Sequence, residues 1–430
     1  MENIRNYLES KKDEMIAFLR ELMAIPSVQG DAEEEYPFGR EPAKALELML
    51  EKCRESGFDV ENVENYAGSA DINEIEPQLA ILSHLDVVPA GTGWSSPPFE
   101  LTQVGDKLVG RGAIDDKGPA VAALYAAKAV REIGIPLKRG VRLIFGTNEE
   151  NGSADLAYYR SKRIMPPMVF TPDGEYPIIN AEKGMLRVYF SAVFNNGTIR
   201  AGEVINAVPK SCTFDIKTCE NGEIMQNYGN HSGKAAHAST PEKGINAITE
   251  FLHFQHQLDP MLKSLSEFFP HGELNGKSCG LGFRDDISGD MTCVLSMLNT
   301  ENGRLRGGID IRFPLDRKKS EISGIICEKL RSAGFEIDSC EGVEPHCTNE
   351  NSTFVRALLK TYEKVTGDKG KCIAIGGGTY VHEIEGGVAF GAEFPGEDGN
   401  MHCPDEFITV GNLLKNAEIM AEAIVEICGK

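Results

Sequence analysis

A chain of 430 residues exceeds the usual single-domain range, so two domains are expected, each able to bury its own core. Asp and Glu number 65 against 44 Lys and Arg, a formal net charge of -21 that repels phosphate backbones, argues against nucleic acid as a partner and suits a protein that holds cations. Eleven cysteines without a CxxC pair read as reduced thiols, which makes the cytoplasm the expected location.

The N-terminal stretch lacks a signal-peptide layout. Its Ile4, Leu8, Met15, Ile16, Leu19 and Met23 instead fit one face of an amphipathic helix. Residues 31 to 35 are acidic and read as a solvated loop. LAILS, KLVG, VRLIFG and PMVFT then read as strands, with an Ala-rich helix between them that Pro119 begins and Gly134 ends. The longest apolar run, AVAALYAA, stops at Lys128, far short of the about 20 residues that span a membrane. This alternation predicts an α/β domain with a largely parallel sheet.

From about Leu186 the texture becomes α+β, with strands LRVYFSAVF, TCVLSML and GIDIRF and helices near 242 to 257 and 319 to 333. The first style returns with a helix through STFVRALLKTYEKVTG, strands CIAI and GVAFG, and a closing helix near 412 to 427. One domain interrupted by another is the simplest account, with boundaries at 1–182, 183–343 and 344–430.

Several strands end in acids or histidine. LAILSHLD delivers His84 and Asp86, GRGAIDDKG delivers Asp115 and Asp116, FGTNEENG delivers Glu149 and Glu150, and TPDGE delivers Asp173. Each has an ordinary reading by itself: a surface histidine, a helix cap, a solvated turn. Together they share the carboxyl edge of the strands, where open α/β sheets bind ligands. His402 lies in the loop FPGEDGNMHCP, next to Cys403, which reads as a small packing residue. His253 and His256 share a helix face without metal context, and His231, His271, His346 and His382 have no supporting context. A phosphoesterase would also pair metals, but no Gly-rich cradle or basic cluster accompanies these acids.

The set SHLD, GRGAIDDKG, TNEENG, TPDGE, GKAAHASTPEKGINA, IGGGT and the late MH resembles the zinc peptidase family of acetylornithine deacetylase, succinyl-diaminopimelate desuccinylase, aminoacylase, carboxypeptidase G and carnosinase. GVAFGAEFPGEDGNMH and IGGGTY are most similar to its bacterial dipeptidase V branch. The resemblance implies a zinc-exopeptidase-type α/β fold, a mixed and mainly parallel sheet flanked by helices and interrupted by an inserted α+β lid domain. It implies two Zn²⁺ ions, with Mn²⁺ or Co²⁺ also compatible with such ligands. His84 and Asp173 would hold one ion, Glu150 and His402 the other, and Asp115 would bridge them, followed by a cis peptide. Asp86 would steady His84, and Glu149 would be the general base for a metal-bridging hydroxide.

In the inserted domain, the resemblance makes His237 an oxyanion donor, Asn206 and Arg312 substrate contacts, and Gly376, Gly377 and Gly378 a stretch of backbone close to the peptide. Ordinary readings remain beside these: Asn206 as a turn former and Arg312 as a strand-edge ion pair. The implied activity is a di-metal dipeptidase acting on short peptides with a free N-terminus. An N-acyl amino acid deacylase and a non-catalytic metal- or peptide-binding protein are the alternatives. A monomer is preferred over a homodimer. VHEI follows GGGTY where the branch has a Gly-Arg pair, and the inserted domain is shorter, which leaves peptide length and side-chain preference open.

Overall fold

The structure, a computed structural model, describes residues 2–220 and 223–429. It divides into two compact units. One comprises the chain up to Asn180, Thr348–Ile373 and the chain from Thr379 onward; the other comprises Ala181–Cys347 and Ala374–Gly378.

The first unit is built on a mixed sheet with a parallel centre. Pro77–His84 lies parallel to Gly140–Gly146 on one side and to Met168–Thr171 on the other, and Val388–Ala389 continues the parallel set. Ala67–Asp71 and Asp59–Val63 extend it antiparallel beyond Gly140–Gly146. Leu79, Ala80, Ile81 and Leu82 are all buried, the continuous apolar run expected of a strand covered on both faces. His84 is level with Gly146, so the two strands release their following residues at the same edge.

The Ala-rich helix, Lys117–Ile133, is buried from Lys117 through Val130 and packs against Glu2–Met23 and Val410–Cys428. Its small side chains allow that close approach. The helix starts two residues earlier than Pro119, which occupies a first-turn position where a missing N–H costs nothing. Asp116 stands at its N-cap without capping it, because the carboxylate accepts the backbone N–H of His84 at 3.0 Å instead. Gly134 ends the helix in the left-handed conformation, φ 78°.

One expected strand of the central sheet lies elsewhere. Lys107–Val109 joins a small antiparallel sheet between Thr102–Val104 and Phe407–Thr409. Asp115 therefore reaches the edge of the parallel strands from a separate loop rather than from a strand of that sheet.

The second unit holds a seven-stranded antiparallel sheet in the order Glu223–Ser232, Ser211–Glu220, Gly197–Ala201, Thr292–Glu301, Arg304–Phe313, Gly184–Val193, Glu336–Val343. Helices Ala247–Gln255, Pro260–Phe268 and Lys319–Ser332 contribute Phe251, Leu252, Leu265 and Ile322 to a core shared with Val188, Phe190, Ile309 and Ile311. Asn246 caps the first of these helices, its side chain accepting from Ile248 and Thr249 at 2.9 and 3.1 Å. A separate pair, Ala207–Val208 with Ala236–His237, carries His237. Among the described residues no helix is long and apolar enough to cross a membrane.

Candidate active site

His84 ends its strand with both ring nitrogens engaged. Nδ1 lies 3.0 Å from the Asp86 carbonyl and 3.5 Å from its carboxylate. The carbonyl is the nearer group and can only accept, so Nδ1 carries a proton, and only in the neutral ring, as when a cation is bound, would the Nε2 lone pair face inward. Nε2 lies 2.8 Å from Asp115 Oδ1 and 3.7 Å from Asp173 Oδ2. Burial opposes charging of this imidazole, but Asp115 and Asp86 outweigh it and hold its pKa well above the ordinary value.

The two oxygens of Asp115 face two different histidines. Oδ1 is the one beside His84, while Oδ2 lies 2.7 Å from His402 Nε2. The same His402 nitrogen is 3.1 Å from Glu150. The Asp115–Asp116 peptide is cis, and Asp116 turns away toward the His84 backbone. Two overlapping groups have the makings of a cation site, His84 with Glu149 and Asp173, and His84 with Asp115 and Glu150; within each, one ligand atom per residue lies within 4.8 Å of the others.

Such a density of carboxylates is costly without cations. Burial, reinforced by the neighbouring acids, pushes Asp173 up to about 7 and raises Glu150 and, more strongly, Glu149. Asp115 alone is lowered: burial works against its charge, but hydrogen bonds from His402 and His84 prevail. Two imidazoles and four carboxylates converge, with His84, Asp115 and Asp173 buried, Glu149 and Glu150 half-buried and His402 exposed, and such a set fits a pair of divalent cations.

Three acids shape the loops that carry these residues. Asp86 accepts the backbone N–H groups of Glu149 at 3.1 Å and Glu150 at 3.2 Å. Asp155, fully buried, accepts those of Thr147 at 2.6 Å and Asn148 at 2.8 Å and the hydroxyl of Tyr380. Glu406 accepts the N–H groups of Gly112, Ile114 and Asp115 at 2.9, 3.1 and 3.3 Å and pairs with Arg111 at 2.6 Å. Asp155, Glu406, Arg111 and Tyr380 went unnoticed in the sequence, where nothing links them to loops so distant along the chain. His402 has φ 60°, rare for a residue with a side chain and a mark of a constrained loop. Cys403 is exposed rather than packed.

The second unit groups its own candidates. His237 is exposed, and the carbonyl of Asn206 accepts the N–H of Ala238 at 2.8 Å, which makes Asn206 and His237 neighbours. Arg312 is buried, with Nε and Nη2 on Asp310 at 2.6 and 3.0 Å and Nη1 on the Gly376 carbonyl at 2.9 Å. One edge of its fork is thus already filled. Gly376, Gly377 and Gly378 follow in the same unit, and Gly376 runs so close to Ser239 that a Cβ there would lie 2.8 Å from the Ser239 Cβ. His253 sits beside Phe254 and His271, away from any grouped acids.

Comparison with known proteins bears on the family and the fold. A model of peptidase family M20/M25/M40 matches residues 80–426. The beta-Ala-Xaa dipeptidase of Lactobacillus delbrueckii subsp. lactis is 33% identical, with 99% of this chain and 98% of that protein covered. Among solved structures, human carnosine dipeptidase 1 superposes with a TM-score of 0.67 at 17% identity, covering 99% and 98% of the two chains. An M20 family metallo-carboxypeptidase from Sulfolobus solfataricus gives 0.63 at 19% identity, covering 96% and 98%. With a family match across most of its length and a full-length relative at this identity, the chain belongs to peptidase family M20/M25/M40.

Proposed function

We propose that the protein is a dipeptidase that uses two divalent cations, zinc foremost, to hydrolyse short peptides with a free N-terminus. The observation that carries this reading is the Asp115 carboxylate, whose two oxygens are directed at His84 and His402. His84 and Asp173 would hold one cation, Glu150 and His402 the other, and Asp115 would lie between them. Bound there, the pair would polarise a scissile carbonyl and make a water more acidic. Glu149 would take the proton from that water and return it to the departing amine. Glu149 is suited to this by its backbone, which Asp86 fixes, and by a burial that raises its proton affinity.

His237 would donate to the oxyanion, Asn206 would contact the substrate, and the Gly376–Gly378 backbone would lie along the peptide. Arg312 would contact the substrate carboxylate beside Gly376, whose carbonyl its Nη1 already holds while Nε and Nη2 stay on Asp310. The dipeptide assignment draws on the beta-Ala-Xaa dipeptidase relative. A monomer in the cytoplasm remains the expected state, and light scattering reports the first part.

The test is metal analysis joined to a paired panel, a dipeptide and the matching N-acetylated amino acid, on chelated and reconstituted protein. Two cations per chain and faster dipeptide release are expected. Faster release from the acetylated compound would make the protein a deacylase instead. Glu149→Ala with its cations retained should lose turnover, and undiminished turnover would remove Glu149 from the reaction.

A further inference from the structure

His237 closes the short strand Ala236–His237, and Ser239 meets its ring in two ways. Ser239 Oγ lies 2.6 Å from Nδ1, and the Ser239 backbone N–H points at the same nitrogen from 3.3 Å. A backbone N–H can only donate. The nitrogen that receives it must offer a lone pair, so in the neutral ring the proton resides on Nε2. The serine hydroxyl rotates to suit and donates to Nδ1 as well.

The surrounding turn leaves this arrangement little freedom. Thr240 donates its N–H to the His237 carbonyl at 3.0 Å, and Ala238 donates to Asn206 at 2.8 Å, so histidine and serine sit on a hydrogen-bonded frame. On its other side Ser239 is backed by Gly376, which has no room for a Cβ. Gly376 in turn is held through its carbonyl by Arg312, itself clamped by Asp310.

We propose that Ser239 is a positioning residue that fixes His237 as the Nε2–H tautomer, so that the ring presents a donor to the developing oxyanion. The inference rests on the reading of His237 as oxyanion donor given above. It goes beyond that reading because it names what decides whether the imidazole presents an N–H or a lone pair. A lone pair aimed at an oxyanion repels it, so the wrong tautomer forfeits the stabilisation.

The ring can be read directly in protein labelled with ¹⁵N-histidine, by long-range ¹H–¹⁵N correlation at a pH where the ring is neutral, with the His237 signals assigned by their loss in His237→Gln. Wild type is expected to show an unprotonated Nδ1 and a protonated Nε2. Ser239→Ala should give a mixture of tautomers and lower kcat by roughly tenfold or more, with KM within about twofold. Ser239→Thr, which keeps the hydroxyl, should restore both readouts.

A protonated Nδ1 in wild type, or a tautomer unmoved by Ser239→Ala, would overturn the proposal. So would a shifted tautomer with unchanged kcat. Full activity in His237→Ala, which leaves no side-chain donor, would instead overturn the oxyanion role itself, a result distinguishable from these because the ring signals of wild type and Ser239→Ala are read without turnover.

Discussion

Asp86 and Glu149 are joined through the main chain: the aspartate Oδ1 accepts the glutamate N–H at 3.1 Å, while its Oδ2 accepts that of Glu150 at 3.2 Å. One carboxylate thus fixes where both acids of the pair begin, and the carbonyl of the same residue orients His84. Asp86→Ala removes both side-chain acceptors, and Asp86→Asn keeps one. Supporting groups of this kind are worth about 10- to 100-fold in activity or metal affinity. Asp86→Ala should lose about 100-fold in kcat/KM and Asp86→Asn less, measured by steady-state kinetics beside the bound-metal content. Equal activity in all three proteins would show that the acid pair holds its place unaided.

Glu406 anchors the loop before the Asp115 carboxylate while pairing with a buried Arg111. Removing one partner of a buried pair typically costs about 3–5 kcal/mol, because the other charge is left without compensation. Glu406→Ala is expected to destabilise the protein by about that much and to weaken cation binding. Adding Arg111→Met should recover part of the stability and little of the cation affinity. A double-mutant cycle in urea, paired with metal titration, separates the two effects.

Glu14 on the first helix accepts from Lys128 at 2.9 Å, Tyr125 at 2.9 Å and Lys11 at 3.0 Å. Burial alone would raise its pKa, but these donors prevail and lower it to about 2. A depressed folded pKa means stability that is present above the unfolded value near 4.5 and lost as pH falls through the folded one. Glu14→Gln should therefore melt below wild type at pH 7, with the gap closing as pH falls from 4.5 toward 2. A gap independent of pH would assign the effect to packing.

Gly146 ends its strand directly under the bond between Tyr380 and Asp155, and a Cβ there would overlap both oxygens. Gly146→Ala must push the tyrosine away and leave a buried carboxylate short of a donor. A loss of about 1–3 kcal/mol from overpacking, or more, is expected in a denaturant titration. Adding Tyr380→Phe, which removes one of the overlapping oxygens, should soften the clash.

Much of the first unit was legible because its parallel strands are unbroken apolar runs, and the residue after such a run falls at a shared edge. His84 and Asp173 are of that kind. Lys107–Val109 was misplaced because three residues carry no periodicity, and its partner Phe407–Thr409 comes from the far end of the chain. Glu406 and Asp155 were not legible, since each works by accepting backbone N–H groups, and any residue supplies those. Arg312 shows a subtler case. In IDIRF, Asp310 and Arg312 are two apart on one strand and share a face, so their ion pair was present in the spacing beside the substrate reading.

The Glu406 anchor also bears on how the protein is made. Gly112, Ile114 and Asp115 leave the ribosome long before the acid that gathers their N–H groups, and so does the glutamate that meets His402. Until translation has nearly finished, that loop lacks its anchor and His402 is missing, so the full set of two imidazoles and four carboxylates cannot assemble.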